Sequence, residues 1–134
     1  MSQENVNVVR QSWEGWVRDR WHGLVAYLDP EIVWDTSHFR EWPESAYDGI
    51  EGVKRFLDEW LDVWEGYEAG VDEFLAAPDG RVVVLAWQRG KGRQSGLAME
   101  MQWAQIDTVR NGKITRVDNY DNRIKAIEAA GLSE

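Results

Sequence analysis

The chain has 134 residues, no cysteine, nine tryptophans and a formal net charge of −9 at pH 7. That length suits one domain with a sizeable core, here residues 1–134. The absence of cysteine excludes a disulfide framework, a thiol nucleophile and thiolate metal sites. The acidic balance argues against a nucleic-acid or anionic-membrane partner, since both need basic surface. The polar opening "MSQENVNVVRQSW" and the lack of any long apolar run lead to the expectation of a cytoplasmic protein.

Val6, Val9, Trp13, Trp16 and Val17 recur at helical spacing, which predicts an amphipathic helix near residues 4–19. A second short helical set, Trp21, Leu24, Val25 and Leu28, stops at Asp29-Pro30. Residues 31–35 read as a short strand. The polar stretch "DTSHFREWPESAYDG" that follows reads as a loop or flap. Val53, Phe56, Leu57, Trp60, Leu61 and Trp64 then form one face of a helix over 49–65. After Gly66 the period changes to two. A strand over 67–77, a turn at "APDGR", the strand "VVVLAWQRG" and a loop "KGRQSG" follow in order. A long strand near 96–109, the hairpin turn "RNGK" and a last strand "ITRVDNY" complete the β portion. The tail "DNRIKAIEAAGL" predicts a closing helix, with Asp121 or Asn122 as N-cap and Gly131 as C-cap.

Helices segregate from strands, so the fold class is α+β. The expected form is a cone-shaped α+β barrel: three N-terminal helices packed on a curved antiparallel sheet, a short C-terminal helix, and an enclosed pocket. Nine tryptophans in so small a chain must be buried or must line a cavity. Phe56, Trp60 and Trp64 share a helix face, while Met99, Met101 and Trp103 share a strand face. Any one of them reads as core, but together they suggest an aromatic pocket for a small apolar or aromatic molecule.

The segments "ENVNVVRQSWEGW", "YLDPEIVWDTS", "YDGIEGVKRFLDEWLDVWEGYE", "DGRVVVL", "NGKITRV" and "NRIKAIEAAGL" resemble, in order and spacing, the SnoaL-like branch of the nuclear-transport-factor-2-like superfamily. The resemblance implies the same cone-shaped fold, often paired through its sheet into a homodimer. It leaves the reaction open, because that superfamily includes isomerases, polyketide cyclases, epoxide hydrolases, dehydratases and plain binding proteins.

The ketosteroid-isomerase pattern, aligned without a gap, puts its aspartate base at Asp35. Its tyrosine falls near Ser12-Trp13 and its protonated aspartate near Gln102, so two of the three groups are missing. The epoxide-hydrolase Arg-x-Asp falls on Arg81-Val82-Val83 and lacks its carboxylate. The polyketide-cyclase pattern needs only one acid/base carboxylate, or a carboxylate with a histidine, in an aromatic pocket. Depending on register, Asp118 with Tyr120, or Asn119, takes its last-strand position.

The catalytic candidates are therefore Asp35, Asp118, Tyr120 and His38. Asp35 reads equally as a pocket base or as a strand-end residue facing water, since Trp34 and Asp35 must point to opposite sides. His38 has no carboxylate at a fixed spacing and reads more readily as a loop residue. The expected pocket wall is Trp16, Trp34, Phe56, Trp60, Trp87, Met101 and Trp103. No metal and no cofactor is called for, because two distant histidines make no ligand pair. The expectation is a small-molecule pocket protein, either an acid/base isomerase, cyclase or hydratase or a non-catalytic carrier.

Overall fold

The computed structural model describes residues 2–40 and 42–132. Helix α1 (Ser2–Asp19) is followed by the short α2 (Trp21–Leu24), which runs into one 3-10 turn, Val25–Tyr27. Strands β1 (Leu28–His38) and β2 (Ala46–Asp48) precede α3 (Gly49–Val63). Then come β3 (Trp64–Ala76), β4 (Val82–Gly92), β5 (Ala98–Arg110) and β6 (Lys113–Tyr120), and α4 (Arg123–Ala129) closes the chain. Among the described residues no helix is long and apolar enough to cross a membrane.

The six strands form one open sheet in the order β2-β1-β6-β5-β4-β3. Neighbours are antiparallel except β1 and β6, which run parallel. The sheet is therefore mixed rather than antiparallel throughout. The architecture is α+β, as expected, with α1 and α3 on the concave face and α4 on the other.

Period-two alternation divides the sheet's side chains between two cores. On the concave face Ile32, Trp34, Val82, Val84, Ala86, Trp103, Ile114 and Val117 join Val6 and Val9 of α1 and Val53 of α3. On the outer face Val83, Ala104 and Ile106 pack under Ala126 of α4 and Ala130.

Three segments differ from the sequence expectation. β1 has 11 residues and passes straight through Asp29-Pro30, which was expected to be a break. The pairing of β1 with β6 is irregular between Leu28 and Val33, so the missing N–H of Pro30 falls where no ladder bond is needed. The expected loop after Asp35 begins as the end of β1 and later supplies β2, whose Tyr47 pairs with Trp34. Glu41 of that loop lies outside the described residues. Trp64 opens β3 rather than closing α3.

α1 and α2 meet at two glycines. A Cβ on Gly15 would overlap the carbonyl of Gly23, and one on Gly23 would overlap the carbonyl of Gly15. Arg20, at φ 55°, makes the reversal between the helices, a conformation that few non-glycine residues adopt. This contact draws α2 onto α1, and Leu24 of α2 and Leu28 just after it line the cavity.

Candidate functional site

Between α1, α3 and the concave face lies a cavity of ≈ 90 Å³ that opens to solvent at its mouth. One wall is aromatic. Trp34 of β1 lies against Phe56 of α3 with ring centroids 5.5 Å apart, and Phe56 stacks on Trp60 at 6.3 Å. Trp42 meets Phe56 at 5.5 Å and Trp60 at 5.4 Å, and its indole N–H donates to the Tyr47 hydroxyl at 2.7 Å. Across the cavity Trp13 of α1 packs against Trp103 of β5 at 6.1 Å. The contacts of Phe56 with Trp34, Trp42 and Tyr47 help to hold α3 on the sheet.

Aliphatic residues such as Leu57, Ile114 and Val117 and a set of polar residues form the rest of the lining, and most of the polar ones bond within the protein. Ser12 Oγ donates to the Val9 carbonyl at 2.6 Å, and Thr36 Oγ1 donates to the Glu44 carbonyl. The Tyr67 hydroxyl donates to Gln88 Oε1. Gln105 Nε2 donates to Asn119 Oδ1 at 2.9 Å, and Asn119 Nδ2 donates to the Asp35 carbonyl at 3.0 Å. These bonds tie β1, β6 and β5 together beneath the cavity.

Asp107 stands apart from this pattern. It lies on β5, two residues beyond Gln105 on the same face, and lines the cavity at 2% exposure. Its Oδ1 is buried and has no hydrogen-bond partner. Burial holds its carboxyl well above the ordinary carboxylate range, and the negative charge of Asp118 adds to that push. Tyr67 is the other titratable side chain among the lining residues, and burial pushes its hydroxyl up to about 12. Among the described residues that line the cavity there is no lysine, arginine or histidine.

Of the expected wall, Trp16, Trp34, Phe56, Trp60 and Trp103 line the cavity. Trp87 and Met101 do not, and this corrects the expectation for both. Trp87 alternates with the inward Ala86 and Gln88 and so faces outward, where it lies over Gly70 and under the guanidinium of Arg89. Met101 shares the inward face but sits beyond the cavity, with its sulfur 3.3 Å from Gln88 Nε2.

The four catalytic candidates come together, but away from the cavity. Asp35 and Asp118 are register partners on the outer face and share Arg116, at 3.1 and 3.0 Å. His38 and Tyr120 stack there with ring centroids 4.2 Å apart. The physical reason is the strand period. The large Trp34 and the bonded Thr36 turn inward, which sends Asp35 out, and Asn119 turns inward, which sends Asp118 and Tyr120 out.

Sequence reasoning missed Asp107, although a signal was present. Counting by two from Trp103, already assigned to the pocket face, reaches Gln105 and then Asp107. An acid on the strand face that carries Met101 and Trp103 marks a site.

The chain belongs to the SnoaL-like domain family, whose model matches residues 9–117. It is similar in structure to TerC co-crystallised with polyporic acid, with 22% identity, 96% of this chain and 98% of that one covered, and a TM-score of 0.74. It is also similar to a candidate polyketide cyclase from Xanthomonas campestris pv. campestris (22% identity, 96% and 97% covered, TM-score 0.71). A candidate isomerase from Bacillus subtilis matches at 15% identity over 98% of this chain and 95% of that one, with a TM-score of 0.73. No curated protein matches the sequence. At these identities the three structures speak for the fold, and any function for this chain has to be read from its own cavity.

Proposed function

We propose that the protein binds a small apolar or aromatic molecule in its cone and carries out acid/base chemistry on it, of the isomerase, cyclase or hydratase kind. Asp107 is the group that carries the proton. The observation behind this reading is a single buried carboxyl without an ion-pair partner, lining a cavity whose other walls are largely aromatic. Burial that keeps the acid protonated suits it to donate where negative charge grows on a ligand oxygen. Once ionised, the same carboxyl is a correspondingly strong base. The co-crystallisation of TerC with polyporic acid is a precedent for an organic ligand on this fold.

One observation favours a second reading, that of a non-catalytic carrier. Apart from Asp107, the only titratable side chain among the described lining residues is Tyr67, already bonded to Gln88, which leaves Asp107 without a second free acid/base beside it. The reading also retains the pairing of two copies expected from the resemblance, which light scattering of the purified protein would check.

Native mass spectrometry after gentle purification, then tryptophan quenching with steroid, polyketide and terpene sets, tests binding. Deuterium uptake from D2O at the carbon beside the carbonyl of a bound ketone tests catalysis. Uptake that is accelerated by the wild type and not by Asp107→Asn supports the enzyme. Binding without accelerated uptake supports the carrier.

A further inference from the structure

We propose that the indole N–H of Trp34 is the donor that orients the ligand, and that the cavity selects neutral carbonyl compounds. This inference rests on the reading of the cavity as a small-molecule site.

Trp34 is 7% exposed and lines the cavity, and its Nε1 is buried without a hydrogen-bond partner. An unmatched buried N–H is costly, so such groups usually have a protein, water or ligand acceptor. Its position is specific. Trp34 pairs with Val117 across β1 and β6, and Val117 pairs with Asp107 across β6 and β5. The three residues therefore form one row on the concave face, with the short side chain of Val117 between the two larger polar ones. Trp34 Nε1 and Asp107 Oδ1 are the unpartnered buried polar atoms found among the described lining residues, and the two residues that carry them flank that valine in the strand register. Phe56 holds the Trp34 ring in place and is itself packed by Tyr47 at 5.2 Å, so the donor direction is set before a ligand arrives.

The charge of the ligand follows from the same lining. No lysine, arginine or histidine lines the cavity among the described residues, so a carboxylate or phosphate would enter without a counter-charge. The one carboxyl present is itself held toward its neutral form. A cation would find only Asp107, at the expense of ionising it. A neutral molecule with an apolar body and one acceptor oxygen fits both halves of the site: rings on the aromatic wall, and the oxygen over Val117 between the indole N–H and the Asp107 carboxyl.

Three probes of similar size separate the possibilities: 1-tetralone, tetralin, which lacks the oxygen, and the anion 1-naphthoate. With 15N-labelled protein, the indole resonance that disappears in Trp34→Phe belongs to Trp34. The expected result is a downfield shift of that indole proton with 1-tetralone and a much smaller one with tetralin. Calorimetry is expected to show Trp34→Phe weakening 1-tetralone by about five- to tenfold while tetralin changes by less than about twofold. 1-Naphthoate is expected to bind at least about tenfold more weakly than 1-tetralone. A Trp34 resonance unmoved by the ketone, equal weakening of ketone and hydrocarbon by Trp34→Phe, or naphthoate binding as tight as tetralone would each overturn the inference while leaving the cavity a binding site. Failure of all three probes to bind would overturn the small-molecule reading and this inference with it.

Discussion

Trp34 and Asp35 are adjacent in the chain and face opposite sides of the sheet: the indole lines the cavity, and the carboxylate lies 3.1 Å from Arg116 on the outer face. Asp118, the register partner of Asp35, shares that arginine at 3.0 Å. Two carboxylates that share one guanidinium on the outer face are poorly placed to act on a molecule inside the cone. Asp35→Asn and Asp118→Asn are therefore expected to leave ligand affinity within about twofold of the wild type, and Asp35→Asn to leave any deuterium uptake within the same range. Asp107→Asn is expected to lower uptake by about a hundredfold or more, the usual scale for removing an acid/base group. Parallel measurement of Kd and exchange rate on the three variants checks this.

The buried carboxyl also predicts how stability responds to pH. The native value of Asp107 lies well above that of an exposed aspartate, so between the two values the folded protein holds a proton that the unfolded chain releases. Its contribution is most favourable below about pH 4 and falls as pH rises toward the native value, at about 1.4 kcal/mol per pH unit. Asp107→Asn has no proton to lose. Its unfolding free energy is expected to match the wild type near pH 4 and to exceed it increasingly above that, as urea titrations at several pH values would show. A variant that parallels the wild type across the range would place the Asp107 carboxyl in contact with solvent.

The glycine contact between the first two helices gives a prediction independent of the site. Gly15→Ala or Gly23→Ala puts a methyl group where the opposite backbone carbonyl already lies. Backbone has no rotamer by which to move aside, so each change is expected to cost about 3 kcal/mol or more. Gly66→Ala has open space around its Cβ but a φ of 61°, so the expected loss is about 1 kcal/mol from backbone strain alone. Denaturant midpoints of the three variants test the order.

Arg123 anchors the closing helix. Its guanidinium donates to the Ala86 carbonyl at 2.6 Å and to Asp72 at 2.7 Å, so the first residue of α4 is tied to β4 and β3. Arg123→Gln is expected to destabilise the protein by about 2 kcal/mol, since it leaves a strand carbonyl without its charged donor. Hydrogen exchange is expected to rise first in α4 and under it on the outer face, while the cavity residues keep their protection.

The helices and hairpins were legible in the sequence because local chemistry determines them. Asn111-Gly112 takes φ values of 53° and 77°, the turn that this dipeptide favours between antiparallel strands. The face of α3 that carries Phe56 and Trp60 followed from helical spacing alone. The limits of β1 did not, because the strand is stabilised by neighbours distant in sequence, Tyr47 on one side and Val117 on the other. The candidate site was legible in its aromatic half, where five of the seven expected residues line the cavity. Its polar half depended on the phase of each strand. A one-residue choice of phase sends Asp35 out and Trp34 in, and only the completed ladder settles that choice. Asp107 could be reached by counting along β5 from Trp103, a step that needs no comparison with any other protein.

The parallel pairing of β1 with β6 has a consequence for how the chain is made. A ribosome delivers β1, with Trp34, long before β6 emerges with Val117 and Asn119. Until then the inner face of β1 lacks the neighbour that completes its ladder. The tryptophan-rich interior thus stays open through most of synthesis, and pairing so distant in sequence is intrinsically slow to form. The net acidic charge of the chain gives the unfinished, sticky polypeptide a means of repelling its own copies while it waits for its last strand.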